Sequence, residues 1–412
     1  KETENLASSD DLKQFTQKNK KAAQIYADAL LLEGRQIGTG QHPSGLVLSD
    51  AKDISNRTPI LFNGRTRSWQ THLDMGEIEQ AGLLKIDLLK LRTLDVISET
   101  LQSLKQYVYP ESIPLSSEVF QNVFAKGNTV GVFQLESKGM RELLTSFQPQ
   151  NLEDLTLLIA IYRPGPLQYA EQIIQLKARK EFKKWTSPIL NGILRKSYGY
   201  PIYQEQLIEI FHKIGGLTLP EADEIRKAIS KKKVESLEPY RQRLVDGLVQ
   251  DGMTNSQALR LWNELIEFGH YAFNRSHAAA YAKLAYITGY LKYYFPKEFL
   301  CALLNHSEKE RIPVLINECR RNHISVLPPD IHTSKAVFSI CGKKEIRYGL
   351  AKIKGVSLAA VERVLQARSA SKFTSMKDFM ERAFMDNSNT DLFILAGAMD
   401  CWTSNRRELV QW

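Results

Sequence analysis

At 412 residues, 43% of them hydrophobic, the chain is long enough to bury cores in about two to four globular domains. Lys and Arg outnumber Asp and Glu by 55 to 46, a net charge of +9 that suits a nucleic-acid partner but supports one only weakly. Residues 278–291 carry Lys283 and several tyrosines and fall short of the ~20 apolar residues of a membrane span, so no membrane partner is expected. The four cysteines, Cys301, Cys319, Cys341 and Cys401, lack metal-type spacing, which fits a reducing cytoplasm, and the histidines form no HExxH pattern. The chain opens Lys1-Glu2-Thr3 without an initiator Met or a signal pattern, so a piece of a larger protein is expected.

In chain order, residues 10–33 read as an amphipathic helix. Ser9 or Asp10 would cap it, Leu12, Phe15, Ala23, Tyr26, Ala27 and Leu30 would form its apolar stripe, and Gly34 would end it. Its lysines, Lys18, Lys20 and Lys21, read as a solvated face. Gly38, Gly40, Pro43 and Gly45 punctuate a loop that feeds a short strand at Leu46, Val47 and Leu48. Extended pieces at 60–62 and 68–70 complete a small α/β unit over roughly 36–94.

The most informative stretch of that unit follows Gly82. From Leu83 to Leu89 the run is apolar except for Lys85 and Asp87, and it reads as a buried strand. Alternation sends Lys85 and Asp87 to one face and Leu84, Ile86 and Leu88 to the other. An acid and a base on an apolar strand cost desolvation. Two readings follow: a structural ion pair, or a metal-binding carboxylate beside a cation for phosphate.

Beyond Thr93 the period becomes helical, through Leu94, Ile97, Leu101 and Leu104 and then over 151–162, 205–215, 221–230, 240–267 and 277–294. Leu327-Pro328-Pro329-Asp330 is a turn that marks a boundary, and a strand pair near 338–340 and 346–348 precedes a final helical segment. The fold class is mainly α with a small α/β part.

Five stretches of the helical region carry polar groups that a plain core would not hold. Gln134, Glu136 and Lys138 alternate within 131–140; Pro164 fixes the direction of Arg163 in 162–167; and 198–206 sets amide side chains at a helix entry. Turn chemistry alone explains each of these three. Arg226, Lys227, Lys231, Lys232 and Lys233 cluster at a helix end, where cations are favoured in any case and where phosphate binding is an equal reading. In 273–282, Ser276 suits an N-cap for an Ala-rich helix from His277 to about Tyr294. Asn274, Arg275 and His277 at that helix start make an anion site, and His277 and Tyr281 share a face; a capped helix with a buried His is the plainer alternative.

Taken in order behind Lys85-Ile86-Asp87, the segments 131–140, 163–167, 198–206, 226–233 and 273–282 resemble the bacterial replicative DNA polymerase III α-subunit family along nearly all of the chain. The continuation Leu91-Arg92-Thr93-Leu94 is similar to the DnaE-type branch. The resemblance implies a C-family polymerase: 1–35 the end of the thumb, 36–94 the second part of the palm, 95–330 the fingers, and 331–412 the start of the clamp-binding region. It implies that Asp87 is one of three aspartates holding two Mg²⁺ ions, the other two lying ahead of Lys1. Lys85 would sit near the triphosphate, and Arg163, Arg226, Lys227, Asn274, Arg275 and His277 would bind nucleotide. Lys231 and Lys232 would touch DNA, as would Lys354, Gly355 and Ser357 of a helix-hairpin-helix at 350–357, where a tight Gly turn aims backbone N–H groups at phosphate. Three residues depart from the family pattern: Lys90 and Ser357 stand where Gly is usual, and Lys227 where a second Arg is common.

The implied reaction is attack of a primer 3′ hydroxyl on the α-phosphate of a deoxynucleoside triphosphate, releasing pyrophosphate. Primer–template DNA, the nucleotide, a sliding clamp and a clamp loader are the implied partners, and the bacterial cytoplasm the implied location. One carboxylate cannot build a two-ion site, so the chain alone is expected to be inactive. The rivals are a non-catalytic DNA-binding module with a structural Lys85/Asp87 pair, an error-prone relative of the replicative enzyme, and a metal-dependent nuclease. For the nuclease, His72 and Asp74 are the nearest spaced partners, with no sign in the sequence that they converge on Asp87.

Overall fold

The computed structural model describes residues 16, 20–33, 35, 40–42, 44–50, 52–88, 90–104, 109–230, 237–269, 271–403 and 405–410. The chain is mainly α with a small α/β part, and it divides into two compact units, Lys1–Leu91 and Arg92–Trp412. No helix among the described residues is long and apolar enough to cross a membrane.

In the first unit, helix α1 (Lys20–Leu32) has no buried residue. The expected cap at Ser9 or Asp10, the stripe residues Leu12 and Phe15, and Gly34 lie outside the described residues. Strand β1 (Gly45–Leu48) pairs antiparallel with a strand at Leu84–Asp87, setting Gly45 opposite Asp87 and Val47 opposite Lys85. Between them, β2 (Ile60–Asn63) and β3 (Ser68–Thr71) form a separate hairpin. The Asn63 carboxamide turns this hairpin by accepting the N–H groups of Arg65 and Thr66. Helix α2 (Met75–Gln80) starts in a capping box between Asp74 and Glu77, a local signal that the apolar period had hidden. Strand β4 (Leu84–Asp87) follows.

The expectation of a buried strand at 83–89 is corrected. Lys85 and Asp87 do share a face, but Leu84, Leu88 and the cross-strand Leu46 and Leu48 are exposed, and Ile86 is 39% exposed. Alternation fixes which side chains share a face; whether that face is covered depends on what packs there. In this two-stranded sheet the burial falls on the Val47/Lys85 side.

The second unit opens with α3 (Arg92–Ser103), α4 (Lys138–Phe147) and α5 (Leu152–Ile161). Apolar nearly all round, α5 is buried from Asp154 to Ile161, as such a helix must be. Helices α6 (Ala170–Arg179), α7 (Pro188–Leu194), α8 (Gln204–Lys213) and α9 (Leu219–Ser230) follow. The helical stretch expected over 240–267 is two helices, α10 (Glu238–Gln250) and α11 (Asn255–Gly269). Gly252, at φ +98°, turns the chain between them in a conformation that costs glycine little. Helix α12 (Arg275–Tyr294) packs on α5, and its buried Ala278, Ala282 and Ala285 let the two backbones approach. Further along it, a Cβ on Gly289 would meet the Phe124 ring at 2.6 Å.

Helices α7–α11 enclose a second core around Leu207, Phe211, Leu244 and Leu261. After α13 (Pro296–His306) and α14 (Ile312–Arg321) comes a three-stranded sheet of order β5-β7-β6, made of β5 (Ser325–Leu327), β6 (Ser339–Gly342) and β7 (Glu345–Arg347). The sequence reading had β6 and β7 but not β5, which precedes the Pro328-Pro329 turn. Ile324, Phe338 and Ile346 join the first helical core, so that turn does not divide the packing. A third core, around Phe379, Phe393 and Met399, holds α15 (Leu358–Ala370), α16 (Met376–Ala383) and α17 (Asn387–Leu395).

Candidate functional site

Asp87 ends β4 at the wall of a cavity of about 960 Å³ in the first unit, lined also by His42, Gly45, Lys85, His72 and Asp74. The Lys85 ammonium donates to the Asp87 carboxylate at 2.5 Å, and His42 Nδ1 lies 3.7 Å from the same oxygen. The Lys85 hydrogen bond is the main cause holding the Asp87 carboxyl below its ordinary range; the charges of Lys85 and His42 add to it. Asp87 is thus an ionised acceptor, partly open to solvent. Gly45 makes the approach possible, since a Cβ there would lie 3.0 Å from His42 Nδ1 and 3.2 Å from Lys85 Cε. His42 and Gly45 were missed as site residues; their only sequence signal is a glycine-punctuated loop feeding the strand paired with Asp87.

His72 and Asp74, read from the sequence as separate from Asp87, line the same cavity. Asp74 is already engaged, because its carboxylate accepts the Glu77 N–H at 2.9 Å. Among the described residues, no group of three or more His, Cys, Asp or Glu side chains could hold a metal ion. Asp87 fits as one ligand for a hard cation, not as a complete site.

In the second unit four of the expected cations, Arg163, Arg226, Lys227 and Arg275, are partnered. The Arg163 guanidinium donates to the Tyr271 and Ala160 carbonyls at 2.7 and 3.3 Å and lies 4.1 Å from the centre of the Phe273 ring. Burial lowers its pKa. Arg226 and Lys227 both bond to Asp223 on their own helix, which leaves that cluster with one excess positive charge. Lys231, Lys232 and Lys233 lie outside the described residues.

The start of α12 differs from the expectation. Asn274, not Ser276, is the N-cap: its carboxamide oxygen accepts the His277 N–H at 2.8 Å and the Ser276 hydroxyl at 2.6 Å. The Arg275 N–H, expected to face a foreign anion, donates to the Glu205 carboxylate at 3.0 and 2.9 Å. Helix amides and a partial positive charge draw in the nearest carboxylate, and α8 supplies one. The Arg275 guanidinium forks onto Glu153 at 2.7 and 2.8 Å, which raises its pKa. His277 is exposed and lies against Tyr281 with ring centres 4.1 Å apart and the rings tilted by 37°, on the shared face that their one-turn spacing required.

Two of the remaining stretches are turn chemistry. Gln134 adopts φ +61°, so 131–140 is not an alternating strand, and Glu136 accepts the Gly131 N–H and pairs with Arg311. Gln206 is buried and closes the turn before α8 by accepting the Ile202 and Tyr203 N–H groups. In the hairpin ahead of α15, Gly355 has φ +90° and Ser357 caps the helix by accepting the Ala360 N–H at 3.2 Å. The helix therefore survives with Ser in place of Gly, and Lys354 is exposed beside it.

Comparison with known proteins gives the class to which this mostly helical chain and its small α/β unit belong, subunits of bacterial DNA polymerase III. Residues 1–90 match the family model of the bacterial DNA polymerase III alpha NTPase domain, 93–252 that of the bacterial DNA polymerase III alpha subunit finger domain, and 323–409 a helix-hairpin-helix motif. Similar proteins include the DNA polymerase III subunit alpha of Neisseria meningitidis serogroup B, 34% identical over 94% of this chain and 35% of the relative. Those of Thermus aquaticus and Pseudomonas aeruginosa are each 34% identical, over 97% and 94% of this chain and 34% and 35% of the relative. The chain belongs to the bacterial DNA polymerase III α-subunit family. It spans about a third of the length of these relatives.

Proposed function

We propose that this chain supplies part of the catalytic and nucleotide-binding machinery of a template-directed DNA polymerase. The observation that carries the reading is the Asp87 carboxylate, kept ionised by Lys85 at the wall of a roomy cavity. In this reading Asp87 is the catalytic carboxylate and gives one ligand to Mg²⁺, and carboxylates outside the described cavity complete the site. Bound there, a pair of such ions activates an attacking hydroxyl and stabilises a leaving oxygen.

Lys85, whose ammonium bonds Asp87, sits near the triphosphate in this reading. Arg226 and Lys227 share one carboxylate, so their surplus charge is available to a phosphate; Lys227 acts as a point charge without the bidentate fork of an Arg. Asn274 and His277 present the start of α12 to the nucleotide, while Arg163 and Arg275 hold the surrounding loops through the bonds described above. Lys231, Lys232, Lys354, Gly355 and Ser357 meet primer–template phosphates. A sliding clamp and clamp loader are partners in this reading.

The test compares wild type with Asp87→Asn in the full-length protein, recording primer extension and primer–template binding with Mg²⁺ and all four nucleotides. Extension falls by orders of magnitude while binding is kept, and the 412-residue chain by itself extends nothing. Extension that survives in Asp87→Asn makes the 2.5 Å Lys85–Asp87 bond a structural ion pair and favours a non-catalytic DNA-binding role. Metal-dependent extension by the chain alone overturns the assignment of missing carboxylates. Mismatch extension by the wild type separates a replicative from an error-prone enzyme.

A further inference from the structure

The β2–β3 hairpin carries two large aromatic rings that no core uses. Phe62 and Trp69 are directly opposite each other across the strands and are 56% and 66% exposed. Their ring centres are 5.2 Å apart at 64°, an edge-to-face pair, which leaves a flat indole surface open. Trp69 also lines the cavity that holds Asp87. The only charged residues between Ile60 and Thr71 are Arg65 and Arg67, both exposed at the turn.

The Gln41 side chain ties the hairpin to the His42 segment. The Gln41 carboxamide donates to the Ser68 hydroxyl at 3.0 Å and accepts from the Thr66 hydroxyl at 2.8 Å and the Asn63 amide at 3.3 Å. These bonds place the hairpin that carries the aromatic pair beside residues 40–42, which line the cavity.

We propose that Phe62 and Trp69, with Arg65 and Arg67, form a stacking platform for unpaired bases of a single DNA strand at the mouth of the Asp87 cavity. The inference rests on the polymerase reading of that cavity. Its chemistry is specific: the surface calls for a partner that brings flat apolar faces and negative charges at short, regular intervals, which a nucleic-acid strand does. Every base has a π-face, so the platform tolerates any sequence. Arg65 and Arg67 complement the phosphates between stacked bases.

The test uses the full-length protein without nucleotide and two DNAs, a blunt duplex and the same duplex with a single-stranded 5′ overhang. In the wild type, Trp fluorescence is quenched by the overhang DNA. Trp69→Ala loses that quenching and weakens overhang binding by about tenfold for one lost stacked base. Phe62→Ala weakens it less, Trp69→Phe restores most of the affinity, and the blunt duplex binds all of them alike. Arg65→Ala with Arg67→Ala lowers the salt dependence of overhang binding by about one in the log–log slope.

The proposal is overturned if Trp69→Ala binds both DNAs like wild type, or if Trp69→Ala and Trp69→Phe are equally weak on both. The second outcome marks a structural role or a protein-docking surface. Because Asp87→Asn is read by extension and Trp69→Ala by overhang binding, failure of the platform is distinguishable from failure of the polymerase reading on which it rests.

Discussion

Lys292 and Glu318 show how a single pair of side chains is decided by its surroundings. They lie 2.7 Å apart, with side chains 3% and 2% exposed, and the Lys292 ammonium also donates to the Val130 carbonyl at 2.8 Å. Burial lowers the Lys292 pKa from the ordinary 10.5, and the bond to Glu318 opposes that fall. Glu318→Gln leaves a buried ammonium unpaired, which is expected to cost roughly 3–5 kcal/mol in urea unfolding. The double change Lys292→Met with Glu318→Leu recovers most of that loss. The pH dependence has a definite sign. With the folded pKa below the unfolded one, the unfolded state binds the extra proton between the two values, so stability rises with pH there. Glu318→Gln lowers the folded value further, so its stability climbs with pH over a wider window below 10.5 than that of the wild type, in unfolding curves recorded across pH. Nothing in the local sequence around Lys292 or Glu318 marked either as buried or paired, because 26 positions of chain separate them.

At the scale of the element, the start of α12 separates two caps that the sequence offered. Asn274→Ala removes the bond to the His277 N–H and is expected to destabilise by about 1 kcal/mol. Ser276→Ala removes only a hydroxyl that donates to Asn274 and is expected to stay within about 0.5 kcal/mol. Thermal unfolding of both variants checks the order; equal losses restore Ser276 as the cap. Ser, Asn and Asp all cap well, so the motif 273–277 fixed the helix start to within two residues, and the backbone conformation chose among them. The same limit divided 240–267, where the apolar period runs on across a glycine whose positive φ breaks the helix. Capping boxes such as Asp74 to Glu77 were legible in principle, because both partners lie three residues apart.

At the scale of the molecule, apolar burial is shared unevenly between the two units. Among the described residues of the first, the buried apolar side chains are Ile78 and Leu83, whereas the second holds three cores. Residues 92–412 alone are expected to keep a helical circular-dichroism spectrum and a cooperative thermal transition. Residues 1–91 alone are expected to melt without one, since so little buried surface cannot offset chain entropy. A cooperative transition in 1–91 contradicts this.

The sequence alone determined the helical period, the strand that carries Lys85 and Asp87, the shared face of those two residues, and the resemblance to the polymerase family. All of these are written in spacings of two to four residues or in the order of motifs along the chain. Only the tertiary structure decided that the Arg275 guanidinium is paired by Glu153 and its backbone N–H by Glu205, 122 and 70 positions away, that His42 and Gly45 face Asp87, and that the leucines of β1 and β4 stay open. Burial and charge pairing depend on which distant segments approach through space, and local spacing carries no record of that approach.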